Sequence, residues 1–442
     1  MTSPGPSDAT LAPSQRPSAG ALLLPLALVA VIALGLRMGT HAATIGLTFD
    51  EPYITVPILN LIEQGWSMRT AIDFDETKGP ALIWPYALLG EVIGSSLADL
   101  RLISVLFFVL GALPLLDIAR RCGVSGGGLW MVAILYAALP YQAALAQLVM
   151  SEPSYVAFAL AACWLFIWGI DAKSKVARIA APVLFTVTLS ILVHNRVHAA
   201  AMAPAVCLVA FGRGGWRGAL PWVIACGAAA LSRVPLLVHW GGIVSPRFQG
   251  LHATGIRMAG VTYLLASFAP LLMMFIPEAW TMQRVWARRL MALGAVVGLG
   301  LALVAMPRLD ETISNQEITA NMYSGITATA VRMLSTNATI QSIAIGALAV
   351  LGGAALGGLA AVAWRRPVSQ SLGALNRLQF WMLATGMAMY VASVAPVYDR
   401  YVLAWSFLLP VVWLTELARP RLVAQSLLMA AISGYLCWRW LM

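Results

Sequence analysis

Charged residues are scarce in this sequence. Only 10% of its 442 residues are charged, whereas 60% are hydrophobic, and the mean hydropathy is +0.82. Soluble domains carry about a quarter charged residues, so the composition excludes a soluble globular protein. Apolar runs of about 20 residues recur along the chain, and each is long enough to cross a hydrocarbon core of about 30 Å. The sequence therefore predicts an all-α polytopic membrane protein.

Cysteine is also scarce. The five cysteines, Cys122, Cys163, Cys207, Cys226 and Cys437, fall singly in or beside apolar runs. None has the spacing of a metal site, so we expect small packing residues and no disulfide framework. A P-loop, a soluble nucleotide-binding domain and a detectable internal repeat are missing as well. The missing repeat makes a secondary transporter less expected.

The positive net charge of +10 has a topological explanation. Basic residues cluster in short loops between apolar runs, and most acidic residues fall in the loops of the opposite side. This alternation is typical of membrane proteins, which keep basic loops in the cytoplasm. We therefore expect membrane lipids, and no nucleic acid, as partners.

The apolar runs predict about thirteen transmembrane helices. The predicted spans are 21–40, 100–119, 128–147, 153–170, 178–193, 197–211, 218–238, 259–277, 289–306, 339–363, 378–395, 401–417 and 422–438. Segment 52–66 has the periodicity of an amphipathic helix, so it is expected to lie in the interface within the first outer loop. Segment 80–94 is expected to be a second interfacial helix, because a span there would move every later loop to the opposite side and place the Arg clusters outside. Residues 1–20 are expected to form a disordered cytoplasmic tail, and 21–442 a single transmembrane domain.

Two loops on the predicted outer side hold much of the polar sequence. They are the first outer loop, 41–99, which we interpret as catalytic, and a later loop, 307–338. The inner loops are short, so we expect the chemistry on the outer face. The Ala-rich and Arg-rich composition indicates a bacterial protein. The expected location is therefore the cytoplasmic (inner) membrane, with an active site on the periplasmic or extracellular face.

The first outer loop contains two acidic clusters. Their members are Asp50 and Glu51 in one cluster, and Asp73, Asp75 and Glu76 in the other. An ionised carboxylate at the membrane boundary costs free energy unless it is solvated or paired. These residues are either interfacial acids that face water, or they serve as a general base or a metal ligand.

Lys78 is a candidate anion-binding residue, because it directly precedes Gly79 and Pro80. Proline favours the first position of a helix, and a helix N-terminus beside a lysine suits a phosphate. The alternative is a polar loop with a structural turn at this position.

Two arginines in short outer turns are the other candidates. Arg196 lies within His194–His198, and Arg400 lies within Tyr398–Tyr401. A guanidinium binds phosphate as a planar fork of donors. The alternatives are an arginine that extends to lipid headgroups, and an ion pair between Arg400 and Asp399.

Taken in order, these pieces resemble the GT-C class of integral membrane glycosyltransferases. The likeness is to the family of lipid A aminoarabinose transferases, protein mannosyltransferases and rhizobial galacturonosyl transferases. The family has an acidic pair after the first span, a Lys-Pro-Pro-Leu-like element that closes the first outer loop, and a Tyr-Arg-Tyr-Leu-like turn near the C-terminus. The similar elements here are Asp50-Glu51, Lys78–Leu82 and Arg400–Leu403. The chain departs from the pattern at Gly79, where the family usually has proline.

The resemblance implies a reaction and its partners. The donor would be a sugar linked to polyprenyl phosphate, and the acceptor a lipid, glycan or protein on the extracytoplasmic face of the cell envelope. Transfer would be a direct displacement at the anomeric carbon with inversion, with phosphate as the leaving group.

The resemblance also implies roles for individual residues. The implied catalytic carboxylates are Asp50 and Glu51. The implied donor phosphate-binding residues are Lys78, Arg400 and Arg196. The implied acceptor or cation-binding residues are Asp73, Asp75 and Glu76. No metal ligand set is assigned, no cofactor is certain, and a divalent cation stays open.

Two other functions remain as alternatives. One is a lipid-linked-sugar flippase or transporter, which should carry paired charges or broken helices near the middle of the membrane. The other is a non-catalytic subunit of an envelope assembly machine, which would keep the spans and tolerate the loss of Asp50.

Overall fold

The computed structural model describes residues 19–72, 76, 78–249, 255–307, 309, 323–392 and 397–442. These residues form a helical bundle, so the all-α polytopic class is confirmed. Almost all of the predicted disordered tail, and the middle of the loop 307–338, lie outside the described residues.

The structure contains twenty α-helices within these residues, and a few short 3-10 turns join them. The helices are α1 (Leu23–Gly39), α2 (Glu51–Gln64), α3 (Met68–Ile72), α4 (Ile83–Ile93), α5 (Leu97–Arg121), α6 (Gly127–Ala137), α7 (Gln142–Leu145), α8 (Ser151–Ile170), α9 (Lys175–Asn195), α10 (Met202–Ser232), α11 (Val234–Trp240), α12 (Met258–Leu272), α13 (Phe275–Thr281), α14 (Val285–Val304), α15 (Ile326–Leu334), α16 (Ala338–Ala363), α17 (Ser371–Met389), α18 (Leu403–Ser406), α19 (Leu409–Glu416) and α20 (Arg419–Leu441). Two strands, β1 (Tyr323–Ser324) and β2 (Val397–Tyr398), pair in parallel.

Seven of the described helical segments are long and apolar enough to cross a membrane, or eight if the bent pair α12–α13 forms one span. The count of thirteen spans therefore stays a prediction. The long uninterrupted helix α5 begins and ends at residues that are typical of helix termini. In α5, Ser96 and Asp99 form a capping box, and Arg120 and Arg121 lie in the last turn, where cations favour the helix dipole.

Several predicted spans are interrupted in the structure. In 128–147, α6 ends at Ala137, and Tyr141 adopts a left-handed conformation with φ of 69° before α7 begins. The span 259–277 is divided into α12 and α13, which are bent by 66°. The span 401–417 is divided into α18 and α19. Apolar composition predicted a continuous span at each of these places, because composition does not report where the backbone turns.

The first outer loop contains the amphipathic helix that its periodicity predicts. In α2, Ile54, Ile58 and Leu61 are buried, since residues three and four apart share one helix face. They pack with α4 and α5 in a small core of their own. α4 has eleven residues, fewer than the roughly 20 needed to span a membrane.

Close backbone contact brings α14 and α16 together. A Cβ atom at Gly294 would overlap the carbonyl of Gly353, and one at Gly298 would overlap the carbonyl of Ala349. Small residues let membrane helices approach closely, so that dispersion contacts hold them together. This pair extends the main core, which is built chiefly from α5, α8, α9, α12 and α17.

Candidate active site

The candidate active site lies where several helix ends meet. Asp50 directly precedes α2, and Lys78 precedes the turn that leads into α4. Glu152 lies in the first turn of α8, and Arg196 directly follows the C-terminus of α9. Arg400 lies in the short turn before α18. Helix ends place polar groups at the margin of an apolar bundle, where they can be hydrated or paired.

Asp50 is held by two cations from distant parts of the chain. Its Oδ2 accepts a hydrogen bond from Lys78 Nζ at 2.8 Å and from Arg400 Nη2 at 2.9 Å. The side chain of Asp50 is 27% exposed, whereas those of Lys78 and Arg400 are 9% and 12% exposed. Lys78 Nζ is also 3.4 Å from Glu76 Oε2. One accessible carboxylate therefore lies between two mostly buried cations.

These contacts set the protonation state of Asp50. Burial alone would raise the pKa of its carboxyl, but Lys78 and Arg400 outweigh burial and hold that pKa well below its usual range. Asp50 is therefore ionised at neutral pH.

A second buried ion pair supports the first. Arg196 Nη2 lies 2.7 Å from Glu152 Oε1, and Arg196 Nε donates to Ser151 Oγ at 2.7 Å. Arg400 Nε lies 3.7 Å from the same Glu152 oxygen and makes no closer hydrogen bond among the described residues. Glu152 therefore joins Arg196 to Arg400.

Aromatic rings border this charge network. The guanidinium carbon of Arg400 lies 5.1 Å from the ring centre of Tyr398, and that of Arg196 lies 5.7 Å from the ring centre of Tyr401. Burial raises the pKa of the Tyr398 phenol to about 12, so Tyr398 is neutral at physiological pH. Both tyrosines present a ring face to a guanidinium group.

Glu51 points away from this network into the protein. Its carboxylate pairs with Arg101, with Nε–Oε1 and Nη2–Oε2 distances of 2.9 and 2.6 Å. The backbone N–H groups of Thr48 and Val149 also donate to it. Both charged side chains are fully buried. Arg101 in turn donates to the backbone carbonyls of residues 42, 45 and 46, so the pair fixes the fold of the first outer loop.

Asp399 does not pair with its neighbour Arg400, which was one alternative. It accepts a hydrogen bond from the Tyr263 hydroxyl at 2.8 Å and from the Thr327 N–H at 2.6 Å. Burial raises the pKa of the Asp399 carboxyl. The Thr327 N–H belongs to the first turn of α15, where an acceptor is favourable. Asp399 therefore attaches α15 to the turn that carries Arg400.

The predicted site residues divide into three groups. Those brought together are Asp50, Glu76, Lys78 and Arg400, with Arg196 joined to them through Glu152. Glu51 lies apart against Arg101. Asp73 and Asp75 lie outside the described residues. In the described part of the chain, no group of three His, Cys, Asp or Glu residues is arranged to hold a metal ion.

The sequence did not single out Glu152 and Ser151. Both are buried, and both contact Arg196. The available signal was a Ser-Glu-Pro sequence at the outer start of an apolar span, since an acid at that depth needs a partner.

No family model and no curated protein sequence matches the chain. Among solved structures, the chain is similar to ArnT from Cupriavidus metallidurans bound to undecaprenyl phosphate. Identity is 15%, coverage is 96% of this chain and 78% of that chain, and the TM-score is 0.45. It is also similar to the archaeal oligosaccharyltransferase AglB from Archaeoglobus fulgidus in complex with an inhibitory peptide and a dolichol-phosphate, with 15% identity, coverage of 95% and 55%, and a TM-score of 0.42.

A third structure is the Archaeoglobus fulgidus oligosaccharyltransferase in complex with Zn and sulfate, with 16% identity, coverage of 87% and 53%, and a TM-score of 0.40. ArnT and AglB are GT-C glycosyltransferases, the class that the sequence motifs resemble.

Proposed function

We propose that this protein is a membrane glycosyltransferase that moves a sugar from a polyprenyl-phosphate-linked donor to an acceptor on the extracytoplasmic face. One observation carries the proposal: the ionised carboxylate of Asp50 contacts both Lys78 and Arg400. Such a transfer needs a carboxylate for the acceptor and fixed cations for the donor phosphate, and these three side chains supply both.

The cations act on the leaving group. A hydroxyl or amine of the acceptor attacks the anomeric carbon while the bond from that carbon to the phosphate oxygen breaks. The acceptor proton passes to a carboxylate, and polyprenyl phosphate leaves with one more negative charge. Lys78 and Arg400 stabilise this charge, because fixed cations in a partly buried site need little reorganisation. Attack opposite to the leaving phosphate inverts the anomeric configuration.

Asp50 is the proposed base, and donor binding is expected to activate it. A donor phosphate competes with Asp50 for Lys78 and Arg400. Once these cations face the phosphate, the pKa of Asp50 rises towards its ordinary value, since the opposite charges that depress it are engaged elsewhere. A carboxylate with a less depressed pKa accepts a proton more readily.

Arg196 is a positioning residue in this proposal. Ser151 and Glu152 already occupy its Nε and Nη2 atoms. Glu152 also faces Arg400 Nε. Arg196 therefore pairs with Glu152 and holds it in place, and Glu152 in turn orients Arg400 towards Asp50.

The test is transfer from radiolabelled polyprenyl-phosphate sugars in membranes that carry wild type, Asp50→Asn or Glu63→Gln at equal abundance. Glu63 is an exposed acid of the same loop and serves as the matched control. We expect Asp50→Asn to reduce transfer by about 10²–10⁴-fold, the usual contribution of a general base, and Glu63→Gln to leave it unchanged. Equal transfer by Asp50→Asn would remove Asp50 from the chemistry. Absence of transfer by wild type across several donor sugars would favour the transporter or the non-catalytic subunit.

A further inference from the structure

A separate cavity lies at the other end of α9 from the candidate active site. It encloses about 400 Å³ and is lined by Arg178, Arg213 and Arg217 together with apolar residues. Arg178 lies near the start of α9, whereas Arg196 follows its end. At 1.5 Å per residue, about 27 Å of helix separates the two places. The cavity therefore belongs to the opposite face of the membrane.

The charges around this cavity are not balanced by the contacts present. Arg213 Nη2 pairs with Asp171 Oδ1 at 2.7 Å. The other terminal nitrogen of Arg213, Nη1, is buried and has no hydrogen-bond partner among the described residues. Arg178 contacts only a backbone carbonyl, that of Lys173, among the contacts described. Of the three guanidinium groups that line the cavity, only that of Arg213 pairs with a carboxylate in the contacts described, and this excess of positive charge favours an anionic ligand.

The backbone shapes the cavity as well. α10 is broken at Gly214 and Gly215, and Gly215 has φ of 58°, which side chains rarely permit. This break turns the chain between Arg213 and Arg217, so that both arginines face the same space.

The remaining walls are apolar. Ile170, Pro182, Pro221 and Trp222 line the cavity beside the arginines. On the outer surface of α9, Ile179 and Val183 are exposed, as in a helix that faces acyl chains. A basic opening with apolar walls at a membrane face matches a phospholipid better than free phosphate, because a free phosphate gains nothing from the apolar part.

We infer that this cavity binds the headgroup of an anionic phospholipid of the inner leaflet. The phosphate lies among the guanidinium groups of Arg178, Arg213 and Arg217, and the acyl chains follow the apolar wall towards Val183. This site is independent of the proposed glycosyl transfer.

The test is native mass spectrometry of the full, delipidated protein with added phosphatidylglycerol or phosphatidylcholine. The variant is Arg178→Gln/Arg217→Gln, which leaves the Arg213–Asp171 pair intact. The matched control is Arg284→Gln/Arg289→Gln, which removes two exposed arginines from another inner loop. We expect wild type and the control to retain phosphatidylglycerol over phosphatidylcholine, and the Arg178/Arg217 variant to bind it about tenfold or more weakly.

Three results would overturn the inference. One is equal retention of the two lipids by wild type. Another is equal loss in both double variants, which would indicate general surface charge. The third is full displacement of phosphatidylglycerol by millimolar inorganic phosphate, which would identify a free-phosphate site. Size-exclusion chromatography of each variant shows that it is folded. If the Arg178→Gln/Arg217→Gln variant does not fold, Arg217→Gln alone is compared with wild type in the same way.

Discussion

The backbone N–H of Gly79 donates a hydrogen bond to the backbone carbonyl of Asn195, 2.8 Å away, and so places Lys78 beside the turn that carries Arg196. A Cβ atom at Gly79 would overlap the carbonyl of His194. A proline at this position would also lack the N–H donor. The departure from the family pattern at this residue therefore has a structural reason in this chain.

Gly79→Ala is expected to impair both folding and transfer. The added methyl group must displace the His194 backbone, which costs about 1–3 kcal/mol for an overpacked site, and it moves Lys78 away from Asp50. Thermal unfolding of the purified protein and the transfer assay measure the two effects. Gly46→Ala in the same loop is the control, because a Cβ there meets no atom within 4 Å. Equal behaviour of the two variants would contradict this role for Gly79.

Glu51 and Arg101 are expected to act on stability. Removing one member of a buried ion pair leaves an uncompensated charge and costs about 3–5 kcal/mol. Glu51→Gln and Arg101→Met should each lower the melting temperature strongly, whereas the double variant should lose less than the sum of the two. Asp50→Asn, at a partly exposed site, should change it less. A folded Glu51→Gln protein of normal stability that has lost transfer would instead support a direct catalytic role for Glu51.

Arg400 is expected to act on the donor. Arg400→Gln removes a cation that contacts Asp50, so we expect transfer to fall by about 10–10³-fold, as for a lost electrostatic donor at a reacting group. Arg400→Lys keeps the charge but loses the planar fork, and should fall between wild type and Arg400→Gln. Steady-state kinetics with varied donor measure this. Arg69→Gln, an exposed arginine of the same outer loop, is the control. Equal activity of the glutamine and lysine variants would argue against a role for the charge.

The ion pairs of Asp50 predict a pH dependence of stability. The pKa of Asp50 is lower in the folded protein than its unfolded value of about 3.9. The stabilisation is therefore fully present above about pH 4 and is lost as the pH falls through the folded pKa. The difference in melting temperature between wild type and Asp50→Asn should be constant from about pH 8 to 5 and shrink below about 4. Burial raises the pKa of Asp399, but Asp399 is present in both proteins, so its effect on the melting temperature cancels in the difference. A difference near zero at pH 7 would show that these ion pairs do not stabilise the fold.

The sequence predicted those parts of the fold that depend on local pattern. Periodicity located α2 and its buried face, and long apolar runs located α5, α8, α9, α14 and α16. The breaks at Tyr141 and between α12 and α13 were missed. Apolar residues occur both in a continuous buried helix and in a buried turn, so composition does not distinguish the two. Tertiary contacts determine which of them forms.

The candidate site was predictable as a set of residues and not as a set of contacts. Charged residues are rare in this chain, and their clustering in outer loops indicated Asp50, Lys78 and Arg400 as candidates. Their pairing joins positions 28 and 350 residues apart, for which a single sequence contains no signal. The same holds for the Glu51–Arg101 pair, whose members are 50 residues apart and fully buried.

The Glu51–Arg101 pair also determines the order in which parts of the protein can fold during synthesis. Glu51 emerges from the ribosome 50 residues before Arg101. Until Arg101 arrives, the acid has no cation to pair with in the interior and must stay in water, because burying it alone is too costly. The first outer loop therefore completes its fold only after Arg101 has been synthesised, and a chain stalled between these two residues would keep that loop unfolded.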